Sequence, residues 1–91
     1  MYLHIVVDNE EKGIVRRNVK VEKIQGVYFV DEDNFNGKIE LSRFLFGITG
    51  AGAEVEWIAL VDDGGDLLHV KNYPESLRNL LERFLSCQGL I

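Results

Sequence analysis

The chain has 91 residues, which limits it to a single domain, 1–91, that buries about 60–65% of the surface exposed by its unfolded chain. Its 46% apolar residues suffice for a packed core and its 27% charged residues are ordinary for a globular protein, which argues against a mainly disordered chain. One cysteine excludes a disulfide framework, two histidines with one thiol cannot build a four-ligand zinc site, and a formal charge of −5 argues against nucleic acid, whose phosphates require excess Lys and Arg.

Residues 2–7 form an apolar run broken only by His4, too short for a helix and rich in Ile and Val, which predicts a mostly buried strand ended by a polar turn at 8–13. Residues 14–24 fit two periods. Val19, Lys20, Val21 and Glu22 alternate as in a strand, whereas Ile14, Val21 and Ile24 also share one side of a helix; β-branching favours the strand. Residues 27–30 read as a second apolar strand, introduced by Gly26 and closed by the acidic turn 31–34. Leu41, Phe44, Leu45 and Ile48 share a helical face, with Ser42 and Arg43 toward solvent and Gly47 suited to end the helix. Residues 55–61, which include Trp57, predict a further strand, and the Asp-Gly-Gly turn at 62–66 predicts a hairpin returning through 67–70. Leu77, Leu80, Leu81, Phe84 and Leu85 then define an amphipathic helix, with Pro74 at its first turn and Gly89 at its stop.

These elements predict an α+β fold, an antiparallel sheet of four to five strands with two or three helices on one face, an open-faced sandwich. The expected core is Leu3, Ile5, Val7, Phe29, Leu41, Phe44, Leu45, Trp57, Ala59, Leu77, Leu80, Leu81 and Phe84.

Chemistry-bearing patterns are sparse. An apolar-Val-Asp tripeptide recurs at 6–8, 29–31 and 60–62 at unequal intervals, as expected where strands end in a turn-forming Asp rather than in a repeat architecture. Clustered carboxylates attract hard cations, so Asp8, Asp62, Asp63 and Asp66, with His69, form the metal-site alternative, although their spacing matches no EF-hand loop. The glycines at 47–52 follow a helix and precede a strand, the reverse of a phosphate cradle, and read as a connector. Neither His4, His69 nor Cys87 has a partner in its sequence context for nucleophilic or acid–base work. Five of the ten basic residues, Lys12, Arg16, Arg17, Lys20 and Lys23, fall within a dozen positions, so the surface is polarised and suits an acidic protein or anionic ligand.

Asn36-Gly37-Lys38, a short apolar helix ending Phe46-Gly47-Ile48, a glycine loop and the strand from Glu54 to Trp57 resemble a segment of the HPr phosphocarrier family. Upstream, Gly13-Ile14-Val15-Arg16-Arg17-Asn18 is similar to the family's phosphorylation motif, with Arg17 at its Arg position. Val15 stands where the phosphorylated His belongs, Asn18 replaces a Pro and Ile39 replaces a regulatory Ser. The resemblance implies four strands under three helices in a member unable to carry phosphate, since Val15 has no lone pair to attack with. It also implies docking through the first-helix and short-helix faces, here Arg16, Arg17, Lys20, Leu41, Phe44 and Gly47.

The expected function is a non-enzymatic protein-interaction or regulatory module, with Phe35 and Phe46 as exposed aromatics and no cofactor. The alternatives are a metal- or small-ligand-binding domain and a subunit that completes its sheet as a homodimer. Because no run reaches the roughly 20 apolar residues of a spanning helix and no leader pattern opens the chain, a cytoplasmic protein without membrane contact is expected.

Overall fold

The computed structural model describes residues 1–32, 37–50 and 52–87. In chain order these form β1 (Tyr2–Asn9), β2 (Gly13–Ile24), β3 (Val27–Glu32), β4 (Gly37–Glu40), α1 (Leu41–Thr49), β5 (Ala53–Val61) and α2 (Glu75–Cys87), with a 3-10 turn at Val70–Asn72. The fold is α+β. Strands β1 to β4 run as an antiparallel meander, and α1 carries the chain back so that β5 pairs with the far side of β1, giving the order β4-β3-β2-β1-β5. Both helices pack on one face.

The ambiguous segment is β2, a twelve-residue strand. Its period of two decides the matter: Val19 and Val21 are buried, while Arg16, Asn18 and Lys20 are exposed on the opposite side. Residues 13–20 pair with β1 and residues 21–24 with β3, so one strand links the two parts of the sheet. The phosphocarrier resemblance implies a helix after this motif and a four-stranded sheet; the chain has a strand there and a five-stranded sheet.

On the helix side, Leu3, Ile5 and Val7 alternate along β1 and meet Val30, Leu60, Leu41, Phe44, Leu45, Leu77, Leu81 and Phe84 in one core. Each such side chain contributes about 1.5–3 kcal/mol on leaving water. The hydroxyls of Tyr28 and Ser76, 2.8 Å apart, tie β3 to the start of α2.

Several expectations are corrected. Phe29 and Leu80 are only partly buried, and Trp57 is 46% exposed. Phe29 lies opposite Glu22 and Glu40, on the side away from the helices. Trp57 is turned outward by a bulge: Val6 pairs with Trp57 but Val7 with Val55, leaving Glu56 as the extra residue, so Val55 enters the core while Trp57 and Ala59 occupy the other face.

The expected return strand at 67–70 shrinks to one bridge, Val61 to Leu67. Beyond it the Tyr73 hydroxyl accepts the Leu60 N–H at 3.1 Å, supplying the edge of β5 with a partner that a strand would otherwise provide. Gly47 does not end α1; the helix continues to Thr49, whose buried hydroxyl donates to the Leu45 carbonyl, and Gly50, at φ 35°, closes it. β4 is a strand that no sequence signal announced. Phe35, the turn residues Asp33 and Asn34, Asn36, Ala51 and the expected stop at Gly89 lie outside the described residues. Among the described residues, no helix is long and apolar enough to cross a membrane.

Candidate interaction face

Because both helices lie on one side, the other side of the sheet has no second layer among the described residues. The strand registers arrange it in rows across β2, β1 and β5: Lys20–Tyr2–Val61, Asn18–His4–Ala59, Arg16–Val6–Trp57 and Ile14–Asp8–Glu54. Val6 and Ala59 are buried within this face by their neighbours alone. At its centre His4 meets Trp57 edge-on, with ring centroids 5.2 Å apart and planes at 62°.

The face is asymmetric in charge. On the β2 flank Arg16 and Lys20 are exposed; on the β5 flank stand Glu54 and Glu56. Among the described residues Arg16, Glu54 and Glu56 form no ion pair. Toward β3 and β4 the charges satisfy one another instead. Lys38 reaches over β3 to hydrogen-bond Glu22, and Lys20 approaches the same carboxylate at 3.9 Å. The Lys38 hydrogen bond holds the Glu22 carboxyl below its ordinary range, and the same bond raises the Lys38 ammonium.

The residues expected to dock a partner do not form one surface. Arg16 and Lys20 belong to the uncovered face. Leu41 and Phe44 are 0% and 1% exposed and belong to the core. Arg17 lies on the helix side, where with Val15, Phe44, Gly47 and Ile48 it lines a recess of about 250 Å³ between β2 and α1. Phe46 is exposed on α1 and packs edge-on against Phe84 at 5.6 Å, beside a groove of about 420 Å³ that Cys87 also lines.

The carboxylates of the metal-site alternative are separated by the topology. Since β1 and β5 are antiparallel, Asp8 ends one strand beside Glu54, while Asp62 follows Val61 at the opposite end, roughly 20 Å away at about 3.3 Å per residue. The Asp62 carboxylate is occupied in building its own turn, accepting the N–H groups of Gly64 and Asp66 at 2.9 and 3.0 Å. Asp63 accepts a hydrogen bond from the Met1 ammonium, which holds its carboxyl below the ordinary range. Among the described residues no group of three or more His, Cys, Asp or Glu side chains is placed to hold a metal ion.

Trp57, assigned to the core by its apolar neighbours in sequence, is the functional candidate that sequence reasoning misplaced. The legible signal lay in β2 and β1, where Arg16, Asn18 and Lys20 stand opposite Val6, His4 and Tyr2 and mark that side as outward. Compared with family models, curated proteins and solved structures, the chain finds no match in any of the three.

Proposed function

We propose that the chain is a non-enzymatic protein-interaction module that docks its partner on the uncovered face of the sheet. The observation that carries this is Trp57: a 46% exposed indole on the edge strand β5, packed edge-on against His4 beside Val6 and Ala59, with the exposed Arg16 in its row across β1. Tryptophan and arginine are the side chains that most often dominate binding energy, because they bury much surface and make directional polar contacts at their tips. Arg16 and Lys20 favour a partner that brings carboxylates to the β2 flank. The docking surface comprises Tyr2, His4, Val6, Arg16, Lys20 and Trp57, and owes nothing to Leu41 or Phe44. The phosphocarrier resemblance, which implied a helix in place of β2, is not needed for it.

Capture experiments test the proposal. Partners retained by the wild-type chain, including untagged copies of itself, are expected to be lost from Trp57→Ala and Arg16→Glu. They should be kept by Arg43→Glu, an exposed change on α1 on the opposite side of the sheet. Equal retention by all three variants would remove the uncovered face from consideration.

A further inference from the structure

We infer that the partner seated on the uncovered face is a second copy of this chain, packed sheet to sheet about a two-fold axis parallel to the strands. The inference rests on the docking proposal above and follows from the order of charges across the face. An interface between identical copies must be complementary to itself. Here Arg16 and Lys20 on β2 and Glu54 and Glu56 on β5 lie on either side of β1, with Arg16 level with Trp57, one row from Glu54, and the bulged Glu56 between those rows.

Two kinds of two-fold axis in the plane of the interface can be compared. An axis perpendicular to the strands lays β2 on β2 and sets the basic flank of Arg16 and Lys20 against the same flank of the other copy. An axis along β1 lays β2 on the partner's β5. It brings Arg16 to the level of the other copy's Trp57, within one level of the second Glu54 and beside the second Glu56. The guanidinium then has an indole face to stack on and a carboxylate to pair with, and the contact forms twice, each copy supplying one half of each. Val6 and His4 lie on the axis. Asp8, level with Glu54, also meets its own copy near the axis, a like-charge approach at the end of the strand that solvent and salt screen. Packed antiparallel sheets adopt this arrangement naturally, with strand directions within about 30° of each other. The β3–β4 side contributes less to the choice of axis, since Glu22 is already engaged by Lys38 and Lys20.

Sedimentation equilibrium of the full chain tests the inference, with circular dichroism to establish that each variant is folded. The wild type is expected to dimerise. Arg16→Glu and the double change Glu54→Arg, Glu56→Arg should each weaken self-association about 10- to 100-fold, because each sets like charges against each other. Mixed together, the two charge-reversed chains should form a one-to-one dimer, since the carboxylate introduced at position 16 of one meets the guanidinium groups introduced at positions 54 and 56 of the other, and the native Arg16 of the second meets the native Glu54 and Glu56 of the first. Emission from the single tryptophan should shift to the red as the wild type is diluted through dissociation.

A monomeric wild type overturns the inference, as does a dimer indifferent to these changes or a mixture of the two variants that stays monomeric. If the wild type is monomeric yet captures another protein in a Trp57-dependent way, the second-copy inference fails and the docking proposal stands. If neither association depends on Trp57 or Arg16, both fail. Should a reversed variant be unfolded, Arg16→Ala and Trp57→Ala provide the same comparison, and a dimer insensitive to both overturns the inference.

Discussion

On the helix side of β1, Leu3, Ile5 and Val7 are sealed under α1 and α2; on the other side of the same strand Tyr2, His4 and Val6 lie under no second layer among the described residues. The two faces alternate residue by residue, so one eight-residue strand builds both the core and the proposed docking surface. The contrast separates apolar area sealed under the helices from apolar area that has no second layer among the described residues. It also divides the uncovered face itself. Toward β4, Lys38 closes on Glu22 beside Phe29, and that part is settled within one chain. Toward β5, Trp57 stands with Arg16 on one flank and Glu54 on the other, charges that find no ion-pair partner among the described residues.

Substitutions can break or sharpen this contrast, and the largest effect is expected in the covered layer. Phe44→Ala removes a ring that is 1% exposed and leaves a cavity between α1 and the sheet. A loss of about 3–5 kcal/mol in chemical denaturation is expected, enough to unfold much of a small domain. Tyr28→Phe keeps the ring and deletes only the hydroxyl bonded to Ser76; about 0.5–1.5 kcal/mol should be lost in the same assay.

On the uncovered face, Trp57→Ala should cost the isolated chain about 1 kcal/mol or less while abolishing association, a separation that Phe44→Ala cannot show. Iodide quenching of the single tryptophan should be efficient in the dilute chain and suppressed at concentrations where it associates.

The smallest effect concerns Glu22 and Lys38. Because the hydrogen bond holds the Glu22 carboxyl below its unfolded value, its stabilising contribution is present above the unfolded carboxylate range and is lost as pH falls through the folded value. The raised Lys38 acts in the opposite range: its contribution is present below the unfolded lysine value and is lost as pH rises through the folded one. In Lys38→Met, the Glu22 carboxyl followed by NMR should titrate higher than in the wild type. The pair is solvated, so the change in global stability should be slight.

Much of the fold was legible in local pattern. The α+β class, the strands at 2–7, 27–30 and 55–61, both α-helices and most of the core follow from period, turn residues and apolar spacing. What local pattern could not supply was partnership. Residues 14–24 fitted two periods until β1 and β3 were seen to hold them as a strand. Residues 67–70 had the composition of a return strand, but Asp62 tied down the turn and Tyr73 occupied the adjoining edge of β5. Leu41 and Phe44 were read both as core and as docking residues, and burial under the sheet leaves only the first role.

The sequence by itself determined that this is a small, acidic, polarised α+β domain with half its basic residues in one segment, because composition and periodicity are properties of neighbouring residues. The tertiary structure alone decided which way that segment faces and what stands across from it. A single bulge at Glu56 moves Trp57 out of phase with Val55, and an antiparallel register sets it level with Arg16 across β1. Facing depends on counting residues along paired strands, and one unpaired residue inverts it, so the same apolar sequence yields a core position at Val55 and an exposed aromatic anchor two residues later.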